Sequence, residues 1–154
     1  MTGTLKAPLR VEFDYTRSLG PVLSGFMTGL RDRTVLGGRA SDGRVIVPPS
    51  EYDPVTHEPL TDLVPVGPAG TVETWSWVSE PVPGQPFDRP FAFALVRLDG
   101  ADTPMLHAVD VPSPDGIRTG LRVRVRWAAE TVGDIRDIAC FEPVESIVTQ
   151  EESA

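Results

Sequence analysis

A mainly β fold is what the sequence predicts: a five-stranded barrel preceded by one helix and a small hairpin. Three observations carry it. The 154 residues include 16 prolines and 14 glycines, and each proline lacks a backbone donor and biases the residue before it away from helix, so helix is scarce. From residue 71 onward, short β-prone runs recur between Gly, Pro and Asp turn signals. Only the proline-free stretch 22–47 opens with an apolar stripe at helical period.

The helix starts after Gly20-Pro21, because proline suits a first helical turn whose N–H has no partner. Val22, Leu23, Phe26, Met27 and Leu30 form its stripe, and the segment turns basic at Arg31 and Arg33, so it should end near residue 33. Ser24, Gly25, Thr28 and Gly29 occupy the other faces. Their helix propensity is poor, and their small size lets another backbone approach closely. Residues 35–47 then hold two β-prone runs around Asp42-Gly43, a tight-turn dipeptide, and read as a hairpin. PPSEYDPVTHEPL at 48–60 has no sustained period and should be an irregular loop leading to a short strand at Leu63–Val66.

The barrel strands are expected at TVETWSWV (71–78), FAFALVRL (91–98), PMLHAV (104–109), LRVRVRW (121–127) and Ile138–Phe141. Short strands with one continuous apolar run among them favour a small closed β domain over a parallel sheet with crossover helices. Residues 145–154 read as a polar tail that frays.

Composition narrows the function classes. A net charge of −8 and a pI near 4.7 disfavour a nucleic-acid or anionic-membrane surface. Cys140 alone excludes a disulfide framework and any multi-cysteine zinc site, and fits a reducing cytoplasm. No apolar run is long enough to span a bilayer, and residues 1–12 lack the apolar stretch of a secretory signal, so a soluble chain is expected.

Catalytic templates find little here. No Gly-x-Ser-x-Gly elbow, phosphate-cradling loop or dinucleotide fingerprint occurs. His57, with Asp53 and Glu58, could offer metal ligands, but a turn at Asp53-Pro54 with a solvent-facing histidine explains the same residues. Asp99 and Asp102 form a carboxylate pair for acid/base work or simply the turn residues between two strands. His107 shares a strand face with Met105 and Val109 and reads as a hydrogen-bonded strand histidine or a proton-transfer group.

Two surfaces suit binding instead. Arg122, Arg124 and Arg126 share one strand face, which is either a solvated exterior or a docking site for carboxylates or for the phosphates of an acyl-CoA. Trp75 and Trp77 share a face and either pack in the barrel or stack an adenine. The helix stripe is the sharpest physical problem, since each large apolar side chain left in water forgoes about 1.5–3 kcal/mol. Packing within the chain and docking to another subunit both answer it.

TRSLGPVLSGFMTGLRDRTVLGGR (16–39), GRVIVPP (43–49), GTVETWSWV (70–78), FAFALVRLDGADTPMLHAV (91–109) and TGLRVRVRW (119–127), in that order, resemble the acyl-CoA-associated zinc-ribbon plus OB-fold family that partners thiolase-like enzymes. LDGAD-x-x-x-LH looks especially like members associated with aldolases that shorten steroid side chains. The resemblance implies an N-terminal segment at 1–33, a ribbon at 34–66, an OB-fold at 67–144 and the tail at 145–154. Typical ribbons carry two cysteine pairs, whereas RASDGRV (39–45) and EYDPVTHE (51–58) hold no thiolate, so the ribbon is expected to be degenerate and metal-free.

The function this implies is a non-catalytic accessory subunit of a thiolase-like acyltransferase or aldolase, active in acyl-CoA handling and present in a hetero-oligomer. Val22, Leu23, Phe26, Met27 and Leu30 are then the docking residues; Arg122, Arg124, Arg126, Trp75, Trp77 and His107 contact CoA or the partner. No zinc, nucleic acid or membrane is expected. A stand-alone barrel binding acyl-CoA or a hydrophobic ligand is the alternative. A single-stranded nucleic-acid binder conflicts with the acidic balance.

Overall fold

A computed structural model describes residue 4 and residues 6–144, and among these described residues are one α-helix, two short 3-10 turns and eight strands. The tail expected at 145–154 lies outside the described residues. Helix α1 spans Pro21–Arg31, and its first free N–H groups are capped from a distant loop: Glu51 Oε1 accepts from Val22 N at 3.0 Å and Leu23 N at 3.2 Å. The helix ends two residues earlier than expected. Arg33 adopts a left-handed conformation (φ 56°) and Thr34 N donates to Gly29 O at 2.8 Å, which turns the chain into the first strand.

Strands β1 (Val35–Arg39) and β2 (Val45–Ile46) form the expected hairpin, and β3 (Asp62–Val66) adds to the other side of β1, giving an antiparallel sheet in the order β2-β1-β3. The helix lies on this sheet. The small residues of α1 explain how closely: a Cβ on Gly25 would come within 2.6 Å of Leu63 Cδ1, and one on Gly29 within 2.9 Å of Thr34 O. At Gly29 the neighbour is backbone and only glycine fits; at Gly25 it is the tip of a side chain that can turn aside.

The barrel closes in the order β4-β5-β6-β8-β7, from β4 (Ala69–Val78), β5 (Phe91–Leu98), β6 (Met105–Val109), β7 (Arg122–Trp127) and β8 (Ile138–Pro143). All five lie where the alternation places them, with ends shifted by one or two residues. Val72 is buried, and strict alternation would then turn Trp75 and Trp77 outward. A register shift between Val72 and Thr74 inserts Glu73 as an extra residue, and both tryptophans pack against the core.

One hydrophobic core joins these parts. Phe26 and Leu30 of the helix, Val35, Val45, Val47 and Val66 of the sheet region, and Val72, Val96, Met105, Val123 and Phe141 of the barrel belong to the same packed cluster. The sheet is tied to the barrel by backbone as well: Asp102 Oδ2 accepts from Val45 N at 2.8 Å, Asp102 N donates to Val45 O at 2.8 Å, and Thr103 Oγ1 accepts from Val47 N at 2.8 Å. No helix among the described residues is long and apolar enough to cross a membrane.

Candidate functional site

The barrel seam between β6 and β8 is thin. These two parallel strands share a single registered pair, Val109 with Phe141, reinforced by Asp110 N donating to Phe141 O at 2.8 Å. Toward the start of both strands, His107, Ile138 and Ala139 line a cleft of about 500 Å3 that is completed by Gly84–Phe87 of the β4–β5 loop and by Ile135 and Arg136. That size lies within the range of small-ligand pockets.

The far wall of the cleft is held by carboxylates. Asp137, buried, accepts from Val132 N, Gly133 N (2.7 Å) and Asp134 N, while Asp134 accepts from Arg136 N, so the turn Ile135–Asp137 is fixed before β8 begins. Burial opposes the charge on Asp137, yet the three N–H donors outweigh it and hold its carboxyl below the ordinary range. Arg136 also bonds Asp134 through Nε at 2.8 Å, and that bond holds the Asp134 carboxyl down to about 2.

His107 supplies the only imidazole of the lining. Its ring stands edge-on to Phe141 with centroids 5.7 Å apart, and its Nδ1 is buried without a hydrogen-bond partner. Burial pushes its pKa below the free value, so the ring is neutral at pH 7. Neighbouring Cys140 is fully buried, and burial pushes its thiol up to about 11, so it carries no nucleophilic thiolate. One neutral imidazole, one guanidinium and the Gln85 amide in an otherwise apolar lining suit binding of an apolar group with a polar end; they form no acid/base pair.

The arginine stripe is exterior, but its cations are already engaged. Arg122 makes a two-pronged contact with Asp99 (2.8 and 2.6 Å) and reaches Thr71 Oγ1; Arg124 bonds Glu142 at 3.0 Å; Arg126 bonds Asp110 at 2.9 Å and Glu142 at 3.3 Å. A phosphate or partner carboxylate docking on this stripe would compete with these partners, whose ion pairs at Arg122 and Arg124 are exposed and individually weak. Alternate burial of Val123 and Val125 behind the stripe follows from strand period. Trp75 and Trp77 are half-buried and pack against the core.

The docking expectation for the helix stripe is corrected. Val22, Phe26 and Leu30 are buried in the chain's own core, so these three offer no docking surface; Leu23 and Met27 are half-buried at its margin. The carboxylates singled out for chemistry are structural too. Asp99 holds Arg122, and Asp102 fastens β2. In the cysteine-free ribbon, Asp53, only 1% exposed, accepts from Val55 N at 2.8 Å and from Arg44 Nη2 at 2.7 Å, while Arg44 Nε bonds Asp42 at 2.7 Å. His57 lies exposed in a turn with φ 62°, and Glu58 accepts from Ser41. Among the described residues, no cluster of three His, Cys, Asp or Glu side chains could hold a metal ion.

Residues 63–128, which run from β3 through β7, match the family model described as the ChsH2 C-terminal OB-fold domain. The barrel is an OB-fold domain. Among solved structures, an Ltp2-ChsH2(DUF35) aldolase matches with 21% identity and a TM-score of 0.62, covering 83% of this chain and 98% of that one. A DUF35-family protein of unknown function from Sulfolobus solfataricus matches with 20% identity and a TM-score of 0.56, covering 69% of this chain and 78% of the other. No curated protein matches the chain. At these identities the likeness extends to the fold: an OB-fold of the kind seen in ChsH2 and DUF35 proteins.

The sequence held signals for parts of the site that residue-type reasoning passes over. Phe87 and Ile135 lie in Pro- and Asp-rich loops, where an isolated large apolar residue is the available hint. Leu9, Val11, Phe13 and Tyr15 alternate with charged and polar residues and are all exposed, a strand-like pattern in a segment that forms no strand.

Proposed function

We propose that this chain is a non-catalytic accessory subunit of a thiolase-like acyl-CoA enzyme, a thiolase or a steroid side-chain aldolase. The observation that carries this reading is the extent of the match to the Ltp2-ChsH2(DUF35) aldolase, 83% of this chain and 98% of that one. The match to the ChsH2 OB-fold model points the same way. The chemistry of the chain is in keeping with it. Asp53, Asp99, Asp102 and Asp110 are bonded within the fold, the one thiol is protonated, and the cleft is lined by no acid/base pair. Catalytic groups then belong to the partner, in a cytoplasmic hetero-oligomer.

In this reading no zinc is needed. The Arg44–Asp53–Asp42 contacts do the bracing that thiolate-bound metal does in a ribbon. The cleft beside His107 receives an apolar portion of the acyl-CoA or borders its access channel. That cleft also supports the alternative, a stand-alone barrel for a hydrophobic ligand, because its lining is mostly apolar and its size fits a small molecule.

The test is a rate comparison. Each thiolase-like enzyme of the same genome is assayed on acyl-CoA substrates with and without this chain. The accessory reading predicts no turnover by this chain alone and a gain in rate or stability of one such enzyme when it is present. Turnover by the isolated chain that disappears in His107→Ala contradicts it.

A further inference from the structure

We infer that the segment Leu9–Tyr15 is a docking arm that adds as a strand to an exposed sheet edge of the partner enzyme; this rests on the accessory-subunit reading. Residues 6–20 form no helix, strand or turn, and among the described residues no backbone hydrogen bond joins 6–19 to the rest of the chain. Within this segment, Leu9 is 88% exposed, Val11 66%, Phe13 78% and Tyr15 82%. These large apolar side chains recur at every second residue, with Arg10, Glu12 and Asp14 between them. That period places all four on one face of a strand and the charges on the other. No proline interrupts residues 9–20, so every N–H in the arm can donate to a ladder.

Among the described residues, the arm pairs with no edge of its own chain. The barrel is closed. On β2, the outward groups are already bonded: Val45 N and O to Asp102, Val47 N and O to Thr103. On the opposite side of that sheet, β3 carries Pro65, which supplies no donor. A second copy presents only the same edges, which the arm leaves unpaired in its own chain, and two arms paired with each other make only a two-stranded ribbon, marginal in water. A different protein with a free edge beside apolar pockets fits. Area supports this as well, since Phe13 and Tyr15 can each bury about 150–250 Å2, roughly half of the ~800 Å2 that one side of a standard interface buries. Leu19, 44% exposed, continues the apolar surface toward α1.

The test uses the full chain with the thiolase-like enzymes of its own genome, affinity read by titration calorimetry. Val11→Ser with Phe13→Ser, and separately Val11→Pro, are expected to weaken binding at least roughly tenfold. Glu12→Gln with Asp14→Asn, on the other face, stays within about twofold. Melting temperatures of all variants match the parent, because the apolar side chains of the arm are exposed and its backbone is bonded to no other described part of the chain. Amides of residues 9–15 exchange freely in the chain alone and become protected in the complex. If the full chain binds and the arm variants bind as well as it does, the arm inference fails and the accessory reading stands. If the full chain binds no thiolase-like enzyme, the reading fails and the arm inference with it. Arm protection that rises with this chain's own concentration, with a dimeric mass, names a second copy as occupant and overturns the proposal.

Discussion

Arg126 of β7 donates to the Asp110 carboxylate, just beyond β6, at 2.9 Å, and so spans the intervening strand β8. Asp110 also accepts from Arg89 at 2.7 Å, and Arg126 reaches Glu142 on β8 itself. The pair therefore clamps the seam that β6 and β8 close with a single registered pair. A stripe of like charges on an acidic protein is in this way turned into a brace.

Asp110 provides a pH signature for that brace. Burial raises its pKa, but the bonds from Arg89 and Arg126 outweigh burial and leave it below the ordinary carboxylate range. A depressed carboxylate contributes stability that is present above its unfolded pKa of about 3.9 and is lost as pH falls through the folded value. Asp110→Asn is expected to cost about 1–2 kcal/mol at pH 7. In urea denaturation the gap between parent and variant should narrow toward pH 3; a gap independent of pH would contradict the assignment.

Glu51 caps a helix distant in the chain, accepting from Val22 N, 29 residues before it. Glu51→Ala should lower stability by about 0.5–2 kcal/mol, and Glu51→Gln, which keeps an acceptor oxygen, by less. Equilibrium denaturation reads both. Hydrogen exchange at the amides of Val22 and Leu23 should accelerate in the alanine variant ahead of the rest of the helix.

Phe26 and Leu30 discriminate an internal core from a docking face. Phe26→Ala is expected to cost about 3–5 kcal/mol, and Phe26→Asp with Leu30→Asp should unfold the helix and the sheet it covers, by circular dichroism and by lost amide protection. A well-folded double variant would return these residues to the surface. Leu23→Ser, at the half-buried margin, should be tolerated far better.

His107 should titrate below the free imidazole value of about 6.5, since burial disfavours its charged form. The unfolded chain then binds the proton first, so stability contributed by the neutral ring is full above pH 6.5 and declines as pH falls below that value. Nuclear magnetic resonance titration gives the midpoint directly. Replacing His107 with Phe should remove this part of the acid decline; an unchanged profile would rule His107 out as its source.

Much of the fold is legible in the sequence because local periods and global packing agree. Pro21 opens the helix, Asp42-Gly43 turns the hairpin, and Val123 and Val125 alternate with the arginines as a half-buried strand demands. What is not legible depends on long-range pairing. The stripe with Phe26 and Leu30 announces that something covers it, and only the folded chain reveals that the cover is its own β1–β3 sheet and barrel. Arg122, Arg124 and Arg126 look like free cations until Asp99, Glu142 and Asp110 arrive from other strands. The bulge at Glu73 keeps Trp75 and Trp77 inward and leaves no mark in composition. Nor could sequence period alone place His107 beside Ile135 and Phe87, which come from loops without a pattern.

The proposal that organises these observations is heteromeric: this chain as an accessory subunit joined to a thiolase-like enzyme. The measurement that tests it most directly is the native mass of the particle formed when the chain is co-expressed with the thiolase-like enzymes of its own genome. The account predicts a stable particle containing both chains in fixed stoichiometry, which falls apart when residues 9–15 are replaced by a glycine-serine segment. A chain that remains alone at its own mass in the presence of every such enzyme would contradict it.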